Sequence, residues 1–132
     1  MIKFELDIPQ HGNVIRRYSR EGIQINDVLV RGVCVVGSKT FDDAPDLPPL
    51  RMLTDIAVLE PWLEQAPDIL LLGTGSAQIM APIDLQAALL GRGIGVEAMD
   101  TFAACRCFNV LVAEQRNVLA VLFPSDDSHL GE

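Results

Sequence analysis

Ile69-Leu70-Leu71-Leu72-Gly73-Thr74-Gly75 is an apolar run that stops on a Gly-Thr-Gly turn. So short a run, with Pro67-Asp68 before it and glycines after it, predicts a strand buried on both faces and expected at the centre of the sheet. Downstream, Pro82 to Leu90 has proline in its first turn, Asp84 where the helix dipole favours an anion, and Gly91 and Gly93 past its end, which predicts a helix. Ile94 to Met99 predicts the next strand. Strand, helix and strand over residues 69–99 make a crossover unit with parallel strands. Gly73-Thr74-Gly75 and the end of the next strand, Glu97 to Asp100, then share one carboxyl edge, where open α/β sheets bind ligands.

Working outward, Asp100 or Thr101 caps the longest helix, expected to run to about Gln115, and Val118 to Phe123 reads as a closing strand. Toward the start, Ile2, Phe4 and Leu6 share one face of an alternating strand. Val14 to Tyr18 reads as another, Ile23-Gln24-Ile25 and Val28-Leu29-Val30 form a hairpin about Asn26-Asp27, and Val33 to Val36 continues a β meander. Phe41 to Pro49 packs three prolines and three aspartates into nine positions, which predicts an exposed acidic loop. Leu50 to Leu53 reads as a strand. Ala57 to Gln65 reads as a short helix with Val58, Leu59, Trp62 and Leu63 inward. The expected fold class is α/β: a single domain over residues 1–124 with a central mixed sheet, an N-terminal β meander and helices packed on the sheet, followed by a mobile tail over 125–132.

With 132 residues, about half of them apolar, one sizeable core is affordable in surface terms. The net charge of −8 repels phosphate backbones and anionic lipid, so neither nucleic acid nor a charged membrane surface is an expected partner. The longest basic cluster is Arg16-Arg17 with Arg20. The first residues alternate apolar and charged side chains, unlike a signal peptide, and no run approaches a membrane span of about 20 residues. A cytoplasmic protein without membrane insertion is expected. Three cysteines without framework spacing suit a reduced compartment.

Chemistry-bearing residues gather at the expected carboxyl edge. Gly73-Thr74-Gly75-Ser76 has Gln78 where a dinucleotide fingerprint needs its third glycine, and it lacks a P-loop ending, so it reads as a tight turn or as a cradle for a small anion. Cys105 lies near a helix start beside Arg106, an arrangement that lowers a thiol pKa; the opposing reading is a buried cysteine packing as a small hydrophobe. Ala104, Phe108 and Leu111, widened by Ala103, Cys107 and Val110, mark the inward stripe, with Arg106 and Asn109 on the opposite side. Glu97, on a strand expected to be buried, needs a partner, and Arg106 is the natural one. Cys105 and Cys107 point apart, and His11 and His129 are expected in a loop and in the tail, so no metal site or cofactor is expected. The candidate pocket comprises Gly73, Thr74, Gly75, Ser76, Glu97, Thr101, Cys105, Arg106 and Asn109.

Three motifs in order, Ile-Leu-Leu-Leu-Gly-Thr-Gly, Gly-Ile-Gly-Val-Glu-Ala-Met-Asp-Thr and Ala-Cys-Arg-Cys-Phe-Asn-Val-Leu-Val-Ala-Glu-Gln-Arg-Asn-Val, resemble the NADH dehydrogenase (complex I) assembly factor three family over residues 14–123. The resemblance implies a single α/β domain with a central mixed sheet. It also implies a protein that binds other assembly proteins, with a respiratory-complex subunit as the expected kind of partner and no established catalysis. Cys107 stands where relatives usually have threonine, so no shared chemistry is assigned there. Two functions are therefore expected to compete. One is a non-enzymatic binding or assembly factor, and the other is a small-ligand binder or enzyme using the Gly-Thr-Gly strand end and the Cys-Arg helix.

Overall fold

The computed structural model describes residues 12–126, so the strand expected over Ile2 to Leu6 and the tail from residue 127 lie outside the described residues. The chain builds a mixed α/β domain from two sheets. The smaller is antiparallel, formed in order by β1 (Ile15–Ser19), β2 (Gly22–Ile25) and β3 (Val28–Val30). Asn26 opens the β2–β3 turn at φ 54°, a left-handed conformation that asparagine tolerates better than most residues.

The larger sheet contains β4 (Cys34–Gly37), β5 (Phe41–Asp43), β6 (Ile69–Thr74), β7 (Gly95–Met99) and β8 (Val118–Phe123), in the order β5-β4-β8-β6-β7. β6 runs parallel to both β7 and β8, while β4 is antiparallel to β5 and β8. The middle strand is thus β8, with the expected central strand β6 beside it. Both are interior, and their sequences show why: all six residues of β8 are buried, as are Leu70 to Thr74 of β6.

Alternation across β6 divides the core in two. Leu70 and Leu72 face α2 (Ile83–Leu90) through Leu85 and Leu89, together with Leu59 and Leu63 around α1 (Glu60–Leu63). Leu71 faces the other way, against Ala104, Cys105, Phe108 and Val112 of α3 (Thr101–Ala113) and against Ile15, Ile23 and Ile25 of the small sheet. Asp100 caps α3 by accepting from the Ala103 amide at 2.8 Å.

Four local expectations are corrected. Phe41–Asp43 is a strand rather than loop; it lies at the sheet edge, where aspartate side chains stay in water, and Pro45, Pro48 and Pro49 fall past its end. Leu50–Met52 forms a 3-10 turn rather than a strand, burying Leu50 after Pro49 fixes the entry. The helix expected from Ala57 begins as a 3-10 turn at Ile56–Leu59, capped by Asp55, and only Glu60–Leu63 is α-helical, with Pro61 in its first turn; Val58 points outward. Ser125, placed in the tail by the sequence, is buried and donates to the Ser19 carbonyl at 3.2 Å.

Candidate functional site

At the carboxyl edge of β6 the chain closes on itself. The Thr101 amide donates to the Gly75 carbonyl at 2.9 Å, the Gly75 amide donates back to Thr101 Oγ1 at 2.8 Å, and that hydroxyl donates to the Phe123 carbonyl at 2.7 Å. Gly75 adopts φ +99°, where an L side chain is strained. Gly73 is constrained by space instead: a Cβ there would stand 3.0 Å from Leu122 Cδ2 and 3.1 Å from Thr101 Oγ1. Thr74 Oγ1 lies 3.0 Å from the Met99 carbonyl and 2.6 Å from that of Ala77, and accepts from the Ile79 amide at 3.1 Å. The two glycines and two threonines therefore lock the ends of β6, β7 and β8 to the start of α3. Gly75's amide already has Thr101 as its acceptor.

The other sequence candidates lie elsewhere. Ser76 is exposed just beyond the turn. Glu97 is exposed because β7 is an edge strand, and among the described residues no ion pair joins it to Arg106, correcting the expected buried pairing. Arg106 is exposed, and its interaction with the neighbouring Tyr18 side chain raises its pKa. Cys105 is fully buried; burial pushes its thiol up to about 12, against the opposing pull of Arg106. The helix start and the cation that favour a thiolate are thus outweighed by loss of water. Burial likewise pushes Cys34 up to about 12, with neighbouring Cys105 adding to the shift.

Asn109 does not face outward as the helical stripe predicts, and Val110, counted in that stripe, is 56% exposed. The Asn109 carboxamide accepts from the Ile15 amide and donates to the Ile15 carbonyl, both at 2.9 Å. It acts as a surrogate strand along the edge of β1. Two buried asparagines escaped the sequence reading. Asn26 Nδ2 donates to Asn13 Oδ1 at 2.9 Å, and Asn13 Nδ2 donates to the Gly37 carbonyl at 2.9 Å, tying the small sheet to the large one. Their placement at turns was the available signal. Among the described residues no group of three or more His, Cys, Asp or Glu could hold a metal ion, and no helix is long and apolar enough to cross a membrane.

These features define a mixed-sheet α/β domain whose principal strand end is a closed structural clasp. The chain belongs to the protein family of unknown function DUF498/DUF598, whose sequence profile matches residues 15–123. A zebrafish (Danio rerio) protein named NADH dehydrogenase [ubiquinone] 1 alpha subcomplex assembly factor 3 is 35% identical over 127 residues, covering 86% of this chain. The chain spans 65% of that relative's length. A crystal structure from Bordetella parapertussis is 32% identical, covers 86% of this chain and 96% of that one, and superposes with a TM-score of 0.75. Another, described as an outer membrane protein from Bartonella henselae, is 31% identical over 86% of this chain and 95% of that one, with a TM-score of 0.73.

Proposed function

We propose that this chain is a non-enzymatic binding protein that helps assemble a respiratory complex, acting in the cytoplasm through contacts with other proteins. The observation that carries the reading is the likeness, over most of the chain, to a relative named as a complex I assembly factor. The closed strand end supports it. Gly75's amide is engaged by Thr101, and Cys105 is buried with its thiol pushed up to about 12, which favours packing roles for these two residues.

The test is affinity purification of the tagged protein from its native host, with fractions identified by mass spectrometry. Respiratory-complex subunits enriched over an unrelated acidic control protein are the expected result. Their absence, with the tagged protein folded and abundant, defeats the proposal.

A further inference from the structure

Four of the chain's arginines fall within residues 12–32, against only two carboxylates there, so this stretch carries +2 and the remainder of the −8 chain carries −10. Arg17, Gln24 and Leu29 stand side by side across β1, β2 and β3, on the face opposite buried Ile23 and Ile25. A register irregularity between Ile15 and Arg17 breaks the alternation of β1, and both Arg16 and Arg17 are exposed. With Tyr18 and Glu21 they line an open groove of about 540 Å³. Tyr18 is in register with Ile23, and its ring stands 4.8 Å from that of Phe102 at the start of α3. Leu29, on the same face as Arg17 and Gln24, is 45% exposed.

The geometry points to this groove as the docking site for an acidic, extended segment of a partner protein. The inference rests on the reading that the chain works by binding proteins. Guanidinium forks match carboxylates in bidentate fashion, and exposed Leu29 offers contact to an apolar residue between the acidic ones. Charge complementarity selects the occupant. A long nucleic acid would bring its dense charge against the net negative charge of the rest of the chain, whereas a short acidic segment needs only the groove.

The experiment is a fluorescence-anisotropy titration with a short labelled peptide rich in Glu and Asp around one Leu. It compares the native sequence, Arg16→Glu/Arg17→Glu, and the control Arg51→Glu/Arg116→Glu, which changes net charge equally at exposed sites elsewhere. Expected are binding that weakens with salt, a Kd raised roughly tenfold or more by the groove variant, and little change in the control. Amide exchange of the native protein, with and without peptide, gives a readout that does not depend on the variant folding, and added protection should centre on β1 to β3. The inference is overturned by no binding, by equal weakening in both variants, by protection elsewhere, by tighter binding of an oligouridylate of equal charge, or by a self-associated dimer that the peptide displaces. Respiratory subunits that still co-purify with the folded groove variant would defeat the groove and leave the assembly reading standing. Peptide binding without any co-purifying subunit would do the reverse.

Discussion

Gly75 and Thr101 hold one another by two reciprocal hydrogen bonds, amide to carbonyl at 2.9 Å and amide to hydroxyl at 2.8 Å, across the end of the large sheet. Because the same hydroxyl donates to Phe123, removing it takes the acceptor from the buried Gly75 amide and one donor from the Phe123 carbonyl. Thr101→Val keeps the volume and should cost about 1–3 kcal/mol of stability, while Thr101→Ser should cost less. Urea unfolding of the three proteins decides; a valine variant as stable as the native chain would remove the clasp from the account.

The two glycines of the turn should fail for different reasons. Gly73→Ala forces a methyl to 3.0 Å from Leu122 and 3.2 Å from the Thr101 backbone and should lose about 1–3 kcal/mol by overpacking. Gly75→Ala must adopt φ +99° and should lose about 1 kcal/mol or more. In both, partner capture should fall only in proportion to folded protein lost. A fully folded Gly75→Ala variant without binding would turn the strand end back into a ligand site.

The buried thiols set an alkaline limit. Cys34 and Cys105 rise from 9.0 to about 12, chiefly through burial, so between those values the unfolded chain gives up thiol protons that the folded chain retains. Their contribution is complete below pH about 9.0 and is lost as pH climbs toward 12, at up to about 1.4 kcal/mol per pH unit for each thiol. Unfolding free energies across that range should fall more steeply for the native chain than for Cys34→Ala/Cys105→Ala. At neutral pH an alkylating reagent should reach half-buried Cys107 well before Cys105. Fast labelling of Cys105 would contradict both expectations.

Asn109→Leu should loosen the small sheet without opening the large one. It leaves the Ile15 amide and carbonyl unmatched on the edge of β1, at a cost of about 1–3 kcal/mol. Amide exchange should quicken across β1 to β3 while β6 and β8 stay protected. Uniform quickening would mean that the two sheets open as one unit.

What the sequence disclosed tracks how local each signal is. The Ile69 to Leu72 run and the Val118 to Phe123 run carry their own burial, and Asp100 sits next to the amide it caps. Asn109 could not be read this way. Its partner Ile15 is 94 positions away, and helical periodicity alone assigned it to solvent. Glu97 appeared buried because an edge strand and an interior one share the same apolar neighbours, and only the sheet order separates them. At Phe41–Asp43 composition outweighed pairing, since an edge strand tolerates aspartates that an interior strand would exclude. Of the candidate pocket, Gly73, Thr74, Gly75 and Thr101 meet at the strand end, whereas the side chains of Cys105 and Asn109 answer to the core and to Ile15, contacts that spacing alone does not encode.

The order of synthesis runs against the order of the sheet. β4 and β6 both leave the ribosome before β8, the strand that lies between them and pairs with each. Until residues 118–123 emerge, the nascent chain therefore holds two apolar strands with a vacant slot between them, the kind of exposed edge that recruits neighbouring chains. Closure of the large sheet waits on β8, and a chain truncated before Val118 should be prone to aggregate rather than form a smaller version of the fold.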